Sequence, residues 1–312
     1  MSTQKPLVVV SGATGRQGGS VVKSLIAAGK YRIRAITRKP ESDQAKALAA
    51  KGVEVFKADL AIKEDVKKAL SGADIAFIVT NFWDSSIYPN NVAEEERQGK
   101  MIADVAKEVG LKWLLYSSLP ETLDGGLNYK AIHFYGKNRV EKYIRTLGIP
   151  NVTFIYVSVY ASNFGPFFPI INKDDGTSEF VIPLVKEDTV IEICDAEADT
   201  GPIVAKVIEE GPEKWNGKKV PVASENISFG KIAEIMTKVT GRQFKLRSPS
   251  REEAQKEFPF LASEELMDMF RWYIDYGVFR ADEEVRDISI CKVLNPNVTT
   301  FEQYAYKKWG NK

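Results

Sequence analysis

The feature that most constrains this sequence is a glycine-rich turn, SGATGRQGG, between an apolar run and an amphipathic segment. The run LVVV at 7–10 predicts a buried strand, and residues 20–28 have helical spacing. Between them lie Gly12, Gly15 and Gly18. In such a turn the first glycine permits a sharp bend, the second lets the backbone approach a pyrophosphate, and the third allows close helix–strand packing. The N–H groups at the helix start would face the anion, so the turn predicts dinucleotide binding.

Apolar runs and segments with helical periodicity alternate along the first part of the chain. This alternation is typical of βαβ units, and it predicts an α/β fold with a doubly wound, parallel Rossmann sheet. Beyond about residue 160 the pattern loosens and predicts a smaller, mixed α/β C-terminal lobe. We expect a Rossmann domain at 1–160 and the lobe at 161–312, with some segments of the lobe returning to the first domain. The predicted strands are 7–10, 32–38, 53–59, 73–80, 112–118 and 152–158, and the predicted helices of the same region are 20–28, 42–51, 63–70, 92–109 and 134–147.

The charge of the chain is nearly balanced, with 43 lysines and arginines against 42 acidic residues in 312 residues. Without a basic cluster, this balance argues against direct nucleic-acid binding and against an anionic membrane surface. No apolar run approaches the ~20 residues that span a bilayer, and the N-terminus lacks a signal-peptide pattern. We therefore expect a cytoplasmic location, with the nucleus as an alternative.

Cysteine and histidine are scarce in this chain. Cys194 and Cys291 lie far apart in sequence, and we interpret both as buried apolar residues of a protein in a reducing compartment. His133 is the single histidine, so we expect no metal site.

The end of the second predicted strand, ITRKP, distinguishes between the two nicotinamide dinucleotides. An acidic residue there would bind the ribose 2′-hydroxyl of NAD, whereas an arginine accommodates the 2′-phosphate of NADP. Arg38 stands at this position, and its guanidinium is suited to bind phosphate through paired N–H donors. Arg16 and Lys39 would add positive charge, although Lys39 fits a solvated surface equally well. The sequence therefore predicts NADP(H) as the preferred cofactor.

Six segments in order resemble the NmrA-like family, an atypical branch of the short-chain dehydrogenase/reductase superfamily: SGATGRQGGSVV, TRKP, KADL, IVTNFWDS, EEERQGKMIADVAKEVG and HFYGKNRVEKYI. The likeness continues more weakly in the C-terminal half, for example in AEADTGPIVAKVI. It implies a Rossmann domain, a small C-terminal lobe and NADP(H) binding. The family includes fungal regulators of nitrogen metabolism and animal redox sensors that respond to NADPH and bind other proteins. A regulatory protein partner is therefore implied as well.

The resemblance also implies a set of cofactor-binding residues. The pyrophosphate would lie on the glycine turn, the 2′-phosphate beside Arg38, the adenine near Asp59, and the nicotinamide-side ribose near Thr80 and Lys137. The segment from Tyr160 to Asn163 departs from the family's more aromatic and acidic version. The implied residues are Gly12, Ala13, Thr14, Gly15, Arg16, Gln17, Gly18, Arg38, Lys39, Pro40, Glu41, Ser42, Asp59, Leu60, Thr80, Asn81, Phe82, Arg97, Lys137, Tyr160, Ala161, Ser162 and Asn163.

Several of these side chains have a structural interpretation beside the functional one. Phe82 and Tyr160 also suit aromatic core packing. Ser117 and Ser118, at the end of a predicted strand, would either polarise a substrate carbonyl or form strand-end hydrogen bonds.

The usual catalytic acid of short-chain reductases is missing. That acid is a tyrosine four residues before a lysine, whose charge lowers the pKa of the tyrosine. Four residues before Lys137 stands His133, and the Tyr-x-x-x-Lys spacing occurs instead at Tyr304 and Lys308, in an amphipathic segment with an expected structural role. His133 would replace the tyrosine because imidazole titrates near neutral pH, but a lone helical histidine is more often capped or packed. Lys137 acting without a tyrosine is the other catalytic candidate.

Two functions follow from these observations. We favour an NADP(H)-binding redox sensor and regulatory protein with little or no hydride transfer. The alternative is an NADPH-dependent oxidoreductase that reduces a small carbonyl, quinone or enone. Epimerisation of a nucleotide sugar fits less well, because it depends on the same absent tyrosine.

Overall fold

The computed structural model describes residues 5–310, which form two compact units. The first unit consists of 5–119, 136–156 and 200–220, and the second of 120–135, 157–199 and 221–310. Each unit is thus built from three segments of the chain.

The helices and strands follow the alternation expected from the sequence. From the N-terminus they are β1 (Leu7–Val10), α1 (Arg16–Ala28), β2 (Arg32–Thr37), α2 (Asp43–Ala49), β3 (Glu54–Lys57), α3 (Lys63–Leu70), β4 (Ile75–Ile78), α4 (Glu94–Glu108), β5 (Trp113–Ser118), α5 (Ile132–Thr146) and β6 (Asn151–Val157). They continue as β7 (Val159–Tyr160), a 3-10 turn (Ala161–Asn163), β8 (Ile170–Asn172), β9 (Ser178–Val181), β10 (Val190–Cys194), α6 (Ala196–Glu210), α7 (Pro212–Trp215), β11 (Lys219–Val222), β12 (Glu225–Ser228), α8 (Phe229–Thr240), β13 (Phe244–Arg247), α9 (Arg251–Glu257), α10 (Glu264–Tyr276), α11 (Ser289–Leu294) and α12 (Phe301–Trp309).

A seven-stranded sheet with the order β11-β6-β5-β4-β1-β2-β3 forms the centre of the first unit. The pairings among β1 to β6 are all parallel. From β1 the chain builds the sheet in one direction through β2 and β3, and then in the other direction from β4. This reversal beside β1 is the switch point of a doubly wound Rossmann sheet, and the predicted fold class is confirmed.

The second unit contains two small sheets of mixed direction. In the order β12-β10-β7, β10 is antiparallel to β12 and parallel to β7. In the order β13-β9-β8, β9 is parallel to β13 and antiparallel to β8. Buried aromatic rings, among them Phe164, Phe168, Phe180 and Phe270, fill the core of this unit. The smaller mixed α/β part expected from the sequence is present.

The C-terminal part of α6 returns the chain to the first unit by packing on α1. The Gly201 N–H donates to Ser20 Oγ at 2.8 Å. A Cβ on Gly201 would lie 2.0 Å from the Ser20 carbonyl oxygen, so only a glycine permits this approach. The sequence-based division has one boundary at 160/161, whereas the structural units exchange chain at five points.

Helix α1 begins at Arg16, four residues before the start predicted from its apolar spacing. Its N-cap is Gly15, which has extended backbone. The first helical turn is therefore made from the polar and glycine residues of the glycine turn, which carry no hydrophobic periodicity. Gly18, the third residue of α1, lies against the end of β1: a Cβ there would be 2.2 Å from the Ser11 carbonyl oxygen and 2.5 Å from that of Gly12.

This contact predicts that Gly18→Ala destabilises the protein. The added methyl group meets backbone atoms that no rotamer change can move, so we expect a loss of about 1–3 kcal/mol in the free energy of unfolding. Gly19→Ala is the matched control, because its Cβ would meet its nearest neighbour, the Ala13 carbonyl oxygen, only at 3.3 Å. Chemical denaturation of both variants measures the difference. Equal stabilities of the two variants would contradict the close packing of α1 on β1.

Candidate dinucleotide site

The glycine turn is held between the ends of β1 and β4. The Ser11 N–H donates to the Phe77 carbonyl at 3.0 Å, while Ser11 Oγ accepts from the Val79 N–H at 2.8 Å. Gly12 then adopts a left-handed conformation with φ of +57°, and a Cβ there would lie 2.9 Å from Val79 Cγ1. Both the backbone angle and the space require glycine at this bend.

In the part of the chain that the structure describes, the N-terminus of α1 has neither a side-chain cap nor the acidic first-turn residues of α4, a long helix that also lacks a side-chain cap. Hydroxyl side chains accept N–H hydrogen bonds at the starts of α2, α8, α10 and α12. Within residues 5–310, no side chain caps α1, and no acidic residue lies in its first turn. Its N–H groups and its positive dipole end suit a bound anion. The glycine turn and the helix start therefore fit the pyrophosphate of a dinucleotide.

Gln17 connects the glycine turn to the end of β5. Ser117 Oγ donates to Gln17 Oε1 at 2.8 Å, and Ser117 is buried. Ser118 is also buried, and its hydroxyl points to the neighbouring Leu119 carbonyl at 3.5 Å. Of the two interpretations of these serines, strand-end hydrogen bonding accounts for the contacts observed.

Lys137 of α5 belongs to a buried network with Thr80 and Glu95. Its ammonium donates to Glu95 Oε1 at 2.6 Å, to Thr80 Oγ1 at 2.9 Å and to the Thr80 carbonyl at 3.2 Å. Thr80 Oγ1 in turn donates to Glu95 Oε1 at 2.7 Å. The side chains of Lys137 and Glu95 are only 10% and 3% exposed. All three N–H donors of Lys137 thus have partners in the protein, and Glu95 neutralises its charge.

Glu95 was not among the predicted site residues. It lies in the acidic stretch EEE at the start of α4, which is typical of a solvated first helical turn. The helical periodicity could have identified Glu95 as buried, because it lies seven residues before Ile102 and therefore on the same face of α4. Its second carboxylate oxygen, Oε2, is buried and has no hydrogen-bond partner in the described part of the chain. That oxygen could accept a hydrogen bond from a ligand hydroxyl, such as one on a ribose.

Arg38 follows β2 and forms an ion pair with Asp84, in the loop after β4. Arg38 Nη2 donates to Asp84 Oδ2 at 2.7 Å. Hydrogen bonds from Ser86, followed by the guanidinium of Arg38, lower the pKa of Asp84 to about 2. The carboxylate is therefore ionised at every pH near neutrality, and this pairing would be lost only as the pH falls towards 2. Sequence reasoning missed Asp84, although the carboxyl ends of β2 and β4 both lie beside β1.

The residues expected around the adenosine are arranged mainly by local hydrogen bonds. Ser42 Oγ accepts from the Ala45 N–H and so caps α2, the helix that follows Lys39, Pro40 and Glu41. Asp59 Oδ1 accepts from the Ala61 N–H at 2.9 Å, in the turn that contains Leu60.

Arg97 lies in the second turn of α4. It pairs with Glu94 at 2.6 Å and donates to the Ala61 carbonyl at 3.1 Å, so it connects α4 with the loop that holds Asp59.

Phe82 and Asn81 begin the loop after β4. The Phe82 ring is only 2% exposed and packs against Trp83 and Tyr88, with centroids 5.0 and 5.5 Å away. Aromatic packing, the alternative interpretation of Phe82, accounts for its side chain. Asn81 starts the following turn, where its Oδ1 accepts from the Trp83 N–H at 3.2 Å.

His133 belongs to the second unit, in the first turn of α5. Glu265 of α10 accepts the backbone N–H groups of Ile132 at 2.7 Å and of His133 at 3.1 Å, and it also contacts His133 Nδ1. Glu265 thereby caps α5 and holds the imidazole. The capped and packed interpretation of His133 explains these contacts without a catalytic role.

The remaining predicted residues also lie in the second unit. Tyr160 ends β7, where it pairs with Cys194 of β10, and Ala161, Ser162 and Asn163 form the 3-10 turn that follows. Tyr304, of the Tyr-x-x-x-Lys spacing, is buried in α12 against Phe301 and Trp309.

Both cysteines are buried free thiols, as predicted. Burial raises the pKa of the Cys291 thiol to about 11 and raises that of Cys194 as well. Between residues 5 and 310 there is no group of three or more His, Cys, Asp or Glu side chains arranged to hold a metal ion. Over the same range, the helices are too short or too polar to cross a membrane.

The strand order and the glycine turn define a Rossmann-type α/β protein. Within that class, the chain belongs to the NmrA-like family, whose model matches residues 4–305. The predicted family is thereby confirmed.

Curated relatives carry two kinds of name. The nitrogen metabolite repression protein nmrA of Emericella nidulans is 31% identical over 252 residues, which cover 78% of this chain and 68% of the relative. The NmrA-like family domain-containing oxidoreductase lnaB of Aspergillus flavus is 32% identical over 255 residues, which cover 78% of this chain and 75% of the relative. The family therefore includes proteins named as regulators and proteins named as oxidoreductases.

Crystal structures of NmrA, described as a negative transcriptional regulator, have the same fold. The complex of NmrA with NAD has a TM-score of 0.82 and 25% identity, covering 98% of this chain and 96% of that one. The complex with NADP has a TM-score of 0.81 and 24% identity, with the same coverage.

The buried network predicts a strong coupling between Glu95 and Lys137. Removing one charge leaves the other buried and unpaired, so Glu95→Gln and Lys137→Met should each lower the free energy of unfolding by about 3–5 kcal/mol. The double variant removes both charges and should lose clearly less than the sum of the two single changes. Urea denaturation of the three variants gives this coupling.

The exposed pairs of Glu108 with Lys63 and Lys67 provide the control for this measurement. Glu108→Gln should leave the unfolding free energy nearly unchanged, because exposed ion pairs contribute little. Additive losses at Glu95 and Lys137 would show that the two side chains do not act as a pair.

Proposed function

We propose that this protein binds NADP(H) in the first unit and acts as a redox-responsive regulatory protein with little or no hydride transfer. The cofactor contributes a nicotinamide that carries a hydride in its reduced form. The protein's own residues bind and orient this cofactor. A partner protein would then distinguish the occupied from the empty form, which requires different affinities for the two states.

The contacts within the first unit support the binding half of this proposal. The backbone of the glycine turn and the uncapped start of α1 would hold the pyrophosphate. Arg38 would hold the 2′-phosphate with its guanidinium. The Arg38 side chain is 58% exposed and therefore accessible to a ligand. Glu95 Oε2 would accept a hydrogen bond from the nicotinamide-side ribose, since it is a buried acceptor without a partner in the described residues. Lys137 would hold that carboxylate in position through its bond to Oε1.

The observation that supports a regulatory role is that the ammonium group of Lys137 is fully hydrogen-bonded within the protein. In a short-chain reductase this lysine supports a tyrosine acid, but no tyrosine stands four residues before it here. Its three N–H donors go to Thr80 and Glu95, and Glu95 neutralises its charge. His133, which replaces the tyrosine in sequence, is held by Glu265 as part of a helix cap. Lys137 and His133 are thus both explained by binding and stability.

The names of the relatives support two alternatives. The regulators named above agree with the first proposal. The oxidoreductases support the second, in which the protein reduces a small carbonyl, quinone or enone with NADPH. In that case NADPH would supply the hydride and Lys137 the proton, and the alcohol, hydroquinone or enol product would leave with both. A buried carboxylate partner makes this donation harder, because it leaves an uncompensated Glu95 charge.

Arg38 provides the test of cofactor choice. Arg38→Ala should weaken NADP⁺ binding by about 10-fold, the loss of a charge-assisted hydrogen bond, and should change NAD⁺ binding much less. Isothermal titration calorimetry with both cofactors measures the change. Arg32→Ala, at the opposite end of the same strand, is the control and should alter neither affinity. An unchanged ratio of NADP⁺ to NAD⁺ affinity in Arg38→Ala would rule out the 2′-phosphate assignment.

Turnover distinguishes the two functions. We expect no acceptor-dependent oxidation of NADPH, measured at 340 nm against carbonyls, quinones and enones, above the rate of NADPH alone. The Glu95→Gln/Lys137→Met double variant is the control for any rate observed, because it removes both buried charges together. A substantial rate that this double variant abolishes, while it still binds NADPH, would establish the reductase and reject the sensor.

A further inference from the structure

The ion pair between Arg38 and Asp84 places a carboxylate where the proposed function requires a phosphate. Arg38 Nη2 donates to Asp84 Oδ2 at 2.7 Å. The Arg38 side chain is 58% exposed, whereas that of Asp84 is 16% exposed. The arginine is therefore open to a ligand from solvent, while its carboxylate partner is largely enclosed by the loop that carries it.

Asp84 is held in place by its own loop and does not depend on Arg38 for its position. Its Oδ1 accepts from the Ser86 N–H at 3.0 Å and from Ser86 Oγ at 2.7 Å. Its backbone carbonyl accepts from the N–H groups of Ile87 at 2.8 Å and Tyr88 at 3.0 Å, and its own N–H donates to the Asn81 carbonyl at 3.2 Å. These bonds leave Oδ2 as the oxygen directed at Arg38. An ordinary surface ion pair lacks this organisation, because both long side chains must be ordered to form it.

A carboxylate and a phosphate monoester compete for a guanidinium. Both are anions that accept paired N–H donors, and the phosphate carries roughly −1.5 to −2 charges at pH 7. A phosphate bound to Arg38 would also lie near the Asp84 carboxylate, and the two anions would repel each other. We therefore expect binding of a 2′-phosphate to Arg38 to displace Asp84 from the guanidinium. A ribose 2′-hydroxyl, as in NAD, has neither effect.

We propose that Asp84 is a specificity-determining residue, which occupies Arg38 in competition with the cofactor's 2′-phosphate and so limits the preference for NADP(H) over NAD(H). This inference rests on the proposed function, since it requires Arg38 to receive that phosphate. Because hydrogen bonds to Ser86, Ile87, Tyr88 and Asn81 fix Asp84 to its turn, we expect its displacement to move the turn from Asn81 to Tyr88 as well. The phosphorylated cofactor thereby changes a part of the surface that the unphosphorylated one leaves in place. Trp83, 36% exposed in this turn, reports the change.

The test compares cofactor affinities by calorimetry in Asp84→Asn, which keeps an oxygen for the Ser86 hydrogen bonds but has no charge. NADP⁺ should bind about two- to fivefold more tightly, as expected for the loss of an exposed ion pair, while NAD⁺ affinity stays within twofold. Glu54→Gln is the matched control, because it breaks the Arg34–Glu54 pair between neighbouring strands of the same sheet. In an Arg38→Ala background, Asp84→Asn should no longer improve NADP⁺ binding.

The outcomes separate this inference from the function on which it rests. If Arg38→Ala lowers the NADP⁺ preference and Asp84→Asn leaves it unchanged, as Glu54→Gln does, the competition is refuted and the proposed cofactor site stands. If Arg38→Ala leaves the preference unchanged, the 2′-phosphate assignment is wrong, and the inference is wrong with it.

A second measurement needs no variant at position 84. In the unmodified protein, NADP⁺ should change tryptophan emission more than NAD⁺ does, and Trp83→Phe should remove that difference. Equal changes with both cofactors at saturation would show that the turn is not displaced, and would overturn the proposal even if Asp84→Asn fails to fold.

Discussion

The close approach of Gly18 to the Ser11 carbonyl is the constraint on which the first unit depends. It brings α1 against the end of β1 so closely that a single methyl group would not fit. The helix consequently starts at Arg16, four residues after the bend at Gly12, and its first turn lies at the switch point of the sheet. Helices α2, α8, α9, α10 and α12 begin after a serine or threonine whose side chain accepts a hydrogen bond from a first-turn N–H group. At α1 a glycine stands in that place and supplies no side-chain cap.

The part of the site expected to bind the nicotinamide-side ribose contains a buried ion pair, in the network of Thr80, Glu95 and Lys137. Burying a carboxylate and an ammonium costs solvation free energy that their attraction only partly offsets. Such a pair is better suited to fix the position of groups than to add stability. One oxygen of Glu95 is left without a partner within the described chain, so the network is complete only when something else donates to it. A short-chain reductase uses its lysine to adjust a tyrosine, whereas here the lysine is balanced by a carboxylate.

Local patterns in the sequence were sufficient to predict the architecture. The alternation of apolar runs with helical segments indicated the parallel sheet, and the spacing of Gly12, Gly15 and Gly18 indicated the turn. Pairings between distant positions were not predictable in the same way. Arg38 and Asp84 are 46 residues apart in sequence. They meet because β2 and β4, whose carboxyl ends they follow, are the two neighbours of β1 in the sheet. Glu265 caps α5 from 132 residues away. No local pattern marks such partners, since their proximity is set by strand order and helix packing.

The edge strand β11 has a consequence for the way the chain folds during synthesis. It pairs beside β6 in the central sheet, yet four strands of the second unit's two small sheets, β7 to β10, lie between β6 and β11 in the chain. While the ribosome is still making the intervening residues, the N–H and C=O groups along that side of β6 face solvent. That edge of the nascent Rossmann sheet therefore stays unpaired until Val222 is synthesised, about 65 residues after the end of β6, and an unpaired edge is prone to aggregation.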